Sequence, residues 1–154
     1  RGGFAVLVDF AHTEAALRAA LESARQLTTG RLIVVFGCGG DRDRGKRAPM
    51  GRAAGELSDL AFVTSDNPRS EAPEAIVDDV RVGLEASGGE YVVEIDRAAA
   101  IRGAVAAADP GALVLVAGKG HESTQILGER VIPFSDRDEV LAAVEERRGP
   151  SKAG

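Results

Sequence analysis

Short apolar runs alternate along the chain with stretches whose apolar residues recur at helical spacing, and the rhythm holds as far as Ala117. Phe4 to Asp9 reads as a buried strand. Thr13 is placed to cap a helix through about Leu27, with Ala16, Leu17, Ala20, Leu21 and Ala24 on one face. Arg31 to Phe36 predicts a second strand, followed by a glycine-rich loop and a helix through about Leu57. Leu60 to Thr64 is a third strand, and Pro73 suits the first turn of a helix running to about Ala86. Tyr91 to Ile95 is a fourth strand, Arg97 to Ala108 a helix, and Ala112 to Ala117 a fifth strand. The rhythm then changes. Gln125-Ile126-Leu127 and Arg130 to Phe134, joined across Gly128-Glu129, predict a short hairpin, and a last helix runs from after Ser135 to about Arg147. Apolar strands joined by helical crossovers imply an α/β, Rossmann-like, mostly parallel sheet with helices on both faces, here with a C-terminal β-hairpin. Residues 1–148 read as one domain and 149–154 as a flexible tail.

Composition narrows this picture. Aromatic residues make up 4% of the 154 and Trp is absent, so the core has to be built from Ala, Val, Leu and Ile. A net charge of -5 argues against general nucleic-acid binding. The lone Cys38 excludes an internal disulfide and a Cys-rich zinc site, which is compatible with a reducing cytoplasm. No run approaches the ~20 apolar residues of a membrane span. The chain opens on Arg1-Gly2-Gly3 without Met, so we expect a piece of a longer protein.

Candidate chemistry sits in the loops that leave the strands. In an open parallel sheet these loops gather along one edge, where ligands bind. Asp66-Asn67-Pro68-Arg69 combines an acid, an amide and a guanidinium, with Pro68 restricting the backbone on either side. Such a set suits a zwitterion: Asp66 for an ammonium, Arg69 for a carboxylate, Asn67 for either. An ordinary Asx-Pro turn is the alternative. Gly40 to Arg47 nearly matches a phosphate loop, but Arg47 stands where a hydroxyl should hold magnesium. The glycines there can instead let Arg42 present its fork to a carboxylate, the alternative being a solvated charge run. His12 and His121 both follow strand ends and are candidates for ligand contact. Glu122 can take an amine, Lys119 is a candidate for a surface charge, and Cys38 reads as a small packed residue.

Taken together, Asp9-Phe10-Ala11-His12-Thr13, Phe36 to Asp43, Gly45-Lys46-Arg47, Asp66-Asn67-Pro68-Arg69 and Gly118-Lys119-Gly120-His121-Glu122 resemble the C-terminal domain of the Mur ligases. The similarity is strongest to members that add meso-diaminopimelate to UDP-N-acetylmuramoyl-L-alanyl-D-glutamate. It implies that Arg42, Asp66, Asn67, Pro68, Arg69, Gly118 and Glu122 form the meso-diaminopimelate site. It implies that Asp9, Phe10, His12 and Thr13 touch the nucleotide. Phe10 stands where Tyr is common in the family, and Glu14 where Pro is frequent. The family's ATP-dependent peptide synthesis runs through an acyl phosphate, with Mg2+ held mainly by a central domain and the UDP moiety by an N-terminal one. Neither domain is present here, so the resemblance implies a cytoplasmic enzyme's recognition domain, without catalytic or metal-binding residues of its own and inactive alone. Its partners are expected to be diaminopimelate, ATP and the UDP-linked dipeptide, with no nucleic acid and no membrane. A folylpolyglutamate or cyanophycin synthetase domain shares the fold, and a stand-alone binding module is the alternative of a different class.

Overall fold

The computed structural model describes residues 3–148, so the expected tail at 149–154 lies outside the described residues. The chain forms β1 (Ala5–Asp9), α1 (Glu14–Gln26), β2 (Leu32–Phe36), α2 (Arg47–Leu57), β3 (Leu60–Val63), α3 (Pro73–Ser87) and β4 (Tyr91–Val93). It continues through α4 (Arg97–Ala107), β5 (Leu113–Ala117), β6 (Thr124–Leu127), β7 (Arg130–Pro133) and α5 (Asp136–Arg148). One 3-10 turn, Arg44–Lys46, leads into α2. β1 to β5 form a single sheet in the order β1-β5-β2-β3-β4, parallel throughout, and β6 and β7 pair antiparallel as the hairpin.

Strand alternation splits the core into two halves. On one face Leu32, Val34 and Phe36 of β2 pack with Leu17 and Leu21 of α1, Met50 of α2 and Val80 and Leu84 of α3. On the other, Ile33 and Val35 meet Ile101 and Val105 of α4 and Val140 of α5. Each such side chain, fully buried, contributes roughly 1.5–3 kcal/mol relative to exposure. The helix starts follow local chemistry. Thr13 accepts from the Ala16 amide at 3.2 Å, and Asp96 accepts from Ala98 at 3.1 Å.

The expectation that the first strand is buried needs correction. β1 lies at the margin and pairs with β5 alone, so its residues alternate between partly buried and exposed, and Leu7 is 39% exposed. No helix among the described residues is long and apolar enough to cross a membrane.

Candidate functional site

Four adjacent strand ends build one cleft of about 330 Å³. The loop after β1 supplies Phe10 and His12, and that after β2 supplies Gly39, Arg42 and Lys46. The loop after β3 supplies Asp66, Asn67 and Arg69, and that after β5 supplies Gly118 and Glu122. The four loops stay together through their backbones. The amides of Gly118 and Gly120 both donate to Asp9 O, at 3.0 and 3.1 Å, and Gly40 N donates to Asn67 O at 2.8 Å. Lys46 Nζ donates to His12 O at 3.0 Å, tying the second loop to the first.

The hairpin closes the cleft from behind. Arg69 N donates to Ile126 O at 3.1 Å, and Gly128 N donates to Arg69 O at 2.7 Å. These two bonds hold Arg69 in the left-handed region, at φ 51°, a costly conformation for a side chain of this size. Its guanidinium Nη1 donates to Gly40 O at 3.0 Å, which fixes the fork across the β2 loop.

The buried cations do different work from the exposed ones. Lys119 is fully buried, so the expectation of a surface charge is corrected. Its ammonium donates to Asn67 Oδ1 at 3.0 Å and Thr124 O at 2.9 Å, and lies 3.5 Å from Glu122 Oε1. It also lies 3.3 Å from Asp66 Oδ1, close enough for charge pairing but poorly angled for a hydrogen bond. Arg47, the residue that spoils the phosphate-loop pattern, is likewise buried. It pairs with Glu71 at 2.7 Å and Asp79 at 2.9 Å and donates to Gly39 O at 3.1 Å. That bond pins the glycine-rich loop to the start of α2, and the ion pairs to Glu71 and Asp79 tie the same residue to α3 and the turn before it. The charge run is therefore divided, with Arg42 and Lys46 lining the cleft and Arg44 and Arg47 bound to Asp79.

The sequence profile of the Mur ligase, glutamate ligase domain, matches residues 1–120. The chain belongs to this family. A UDP-N-acetylmuramoyl-L-alanyl-D-glutamate–2,6-diaminopimelate ligase of Alkalilimnicola ehrlichii is 56% identical over 144 residues, which cover 94% of this chain and 28% of that protein. A solved ligase of the same name superposes with a TM-score of 0.89 at 40% identity, over 94% of this chain and 30% of that one. This Mur ligase domain thus spans under a third of the length of such relatives. The folylpolyglutamate synthase of Mycobacterium tuberculosis shares the fold, with a TM-score of 0.54 at 18% identity over 95% of this chain and 30% of that one.

The Mur ligase domain brings most of the residues singled out in the sequence into the cleft: Arg42, Asp66, Asn67, Arg69, Gly118, Glu122, Phe10 and His12. Pro68 is buried behind it. Asp9 and Thr13 shape the loop instead, Asp9 Oδ2 accepting from Ala11 N at 2.9 Å and Thr13 capping α1. The two histidines part company. His12 lies in the cleft, its ring 4.7 Å edge-on to Phe10, whereas His121 opens with Asp9 and Arg137 onto a second hollow of about 530 Å³. Burial pushes the Cys38 thiol up to about 12, so it stays protonated beside Met50, as a packed residue should.

Lys46 also lines the cleft, and its place in the charge run of the glycine-rich loop carries no sign of that in the sequence. Arg97 and Asp136 carried no local signal. Their side chains form a fully buried bidentate pair at 2.7 Å, and Arg97 also donates to Ser65 O at 3.0 Å and Ala117 O at 3.1 Å. Burial opposes the charge on Arg97, but the Asp136 carboxylate outweighs it and holds the guanidinium protonated. This pair anchors the roots of both acid-bearing loops to the start of α5.

Proposed function

We propose that this chain, over residues 1–148, is the amino-acid-recognition domain of an ATP-dependent amide ligase. The parent enzyme adds meso-diaminopimelate to UDP-N-acetylmuramoyl-L-alanyl-D-glutamate in cytoplasmic peptidoglycan synthesis. The observation that carries this reading is the charge pattern of the cleft. Two guanidiniums, Arg42 and Arg69, share it with two carboxylates, Asp66 and Glu122, in a chain 56% identical to a relative named for diaminopimelate. Diaminopimelate ends in a zwitterion at each side. Its distal carboxylate suits the guanidiniums and its distal ammonium the two acids, through charge-assisted hydrogen bonds of roughly 1.5–3 kcal/mol each. Lysine has no distal carboxylate and leaves the guanidiniums unmatched, which a closed site penalises.

The family's chemistry supports the remaining assignments. The substrate carboxylate is phosphorylated at the expense of ATP, and the bound amine then attacks the acyl phosphate. This domain holds the amino acid so that its reacting amine faces the neighbouring domain, and closure of the two excludes water. Phe10, 50% exposed, offers an aromatic face to the nucleotide, with His12 beside it. Among the described residues no group of three or more His, Cys, Asp and Glu is placed to hold a metal ion. The cleft's two carboxylates, Asp66 and Glu122, both lie within 3.5 Å of the Lys119 ammonium, a poor donor set for Mg2+, and we assign the metal to the central domain of the parent enzyme.

The test is amide ligation by the full-length parent enzyme, with meso-diaminopimelate or L-lysine as the amine. Diaminopimelate should be strongly preferred, and Arg69→Ala should cut its kcat/KM by about 10- to 100-fold, the loss of one charge-assisted contact. Arg69→Lys should recover only part of it, because an ammonium cannot reproduce the fork. Wild-type preference for lysine, or indifference to Arg69, would sink this account of the cleft.

A further inference from the structure

Asn67 and its neighbours reveal which way the cleft is polarised. The side-chain oxygen of Asn67 accepts two hydrogen bonds, from Lys119 Nζ at 3.0 Å and from the Ile126 amide at 2.9 Å. Both partners are obligate donors. Flipping the amide would set its NH2 against an ammonium and a backbone N–H, so the orientation is dictated by chemistry. The oxygen is used up, and Nδ2, which has no partner among the described residues, is the group left for a ligand. Lys119 acts on Asp66 in a parallel way. It draws the buried Oδ1 to 3.3 Å, while Oδ2 is the oxygen nearest Gly118, 3.6 Å from where a Cβ on that residue would stand.

We propose that Lys119 is a positioning residue that sets amino-acid specificity. By engaging Asn67 Oδ1 and Asp66 Oδ1 together, it turns Asn67 into a donor for the ligand's carboxylate and leaves Asp66 Oδ2 for the ligand's ammonium. Asn67 then joins Arg69 in reading the carboxylate, and the freedom to accept an ammonium, open to it on sequence grounds, is removed. The wiring explains why a lysine is buried here at all. A fully desolvated ammonium is tolerated only when paired, and this one has Asp66, Asn67, Glu122 and Thr124 around it. The inference rests on the diaminopimelate reading above, but it concerns a ratio between two amines.

Two substitutions in the full-length enzyme decide it. Lys119→Met keeps an unbranched side chain and removes the charge. The KM for diaminopimelate should rise about tenfold or more, with the KM values for ATP and the UDP-linked dipeptide unchanged, and the preference for diaminopimelate over lysine should shrink by a similar factor. Asn67→Asp is isosteric and does not depend on the buried lysine being removable. It replaces a donor with an acceptor facing the ligand's carboxylate, so it should also lower the diaminopimelate-to-lysine ratio by about tenfold or more. Thermal melting of each variant, with the wild type alongside, separates folding from recognition. If Lys119→Met does not fold, Asn67→Asp decides alone. An unchanged ratio in Asn67→Asp, or a loss in Lys119→Met that falls equally on both amines and all three substrates, overturns the inference and leaves Lys119 a structural brace. Absence of diaminopimelate-dependent ligation in the wild type would instead overturn the functional reading itself.

Discussion

The Arg47 guanidinium, with help from the Asp41 amide, holds the Glu71 carboxyl down at about 2, against an ordinary value of 4.5. A carboxyl depressed in the folded state stabilises it fully above the unfolded value and loses that contribution as pH falls through the folded one. The fold should therefore lose stability from about pH 4.5 down to about 2, and Glu71→Gln should flatten that limb in denaturant titrations at stepped pH. Asp79 and Asp59 are lowered too, so the limb should flatten and not vanish. An unchanged slope would mean that the Arg47–Glu71 pair contributes nothing to acid stability. Individual residues were the least legible part of the sequence. Asp66 and Arg69 announce themselves because their chemistry is contiguous in the chain. Lys119 does not, because Asn67, 52 residues away, decides whether it is buried. The loop before α2 even misdirects, since Gly45-Lys46 imitates a phosphate loop while the next residue, Arg47, is committed to Glu71 and Asp79.

At the level of elements, α2 and α3 make the tightest contact in the molecule's helical layers. A Cβ on Gly83 would stand 1.8 Å from Ala48 O and 2.6 Å from Arg52 N, so the two backbones meet with no room for a methyl group. Gly83→Ala should force the helices apart and cost about 1–3 kcal/mol, read as a lowered midpoint in urea. Stability equal to wild type would show that the crossing can relax. The consequence reaches the site, because α2 carries Arg47, and Arg47 fixes the loop that presents Arg42. Strand and helix placement was legible almost throughout, since apolar runs of four to six residues between helical repeats admit few other folds. The exception is instructive. β1 has the composition of a buried strand but occupies the sheet margin, and strand order is decided by packing between segments a hundred residues apart, which a local pattern does not encode.

On the scale of the whole molecule, the division of labour follows from what one sheet edge can hold. The loops after β1, β2, β3 and β5 together shape a cleft with two guanidiniums and two acids, and its buried cation, Lys119, is matched internally. Activating a carboxylate for amide formation requires a separate phosphate cradle and a metal site. The near-miss loop at Gly40 to Arg47 lacks the hydroxyl that completes such a cradle with its metal, and the residue in that place, Arg47, is buried in ion pairs. The cleft's acids, both beside the Lys119 ammonium, are a poor donor set for the metal site. The 154-residue chain, incubated with ATP, Mg2+, the UDP-linked dipeptide and diaminopimelate, should therefore release no phosphate and form no tripeptide above background, while the full-length enzyme does both. Turnover by the isolated chain would mean that its exposed groups assemble a phosphoryl-transfer site. The cleft at the β-strand ends would then have to hold both substrates, and its charge pattern would need reading as a phosphate site with Arg42 and Lys46 at its centre.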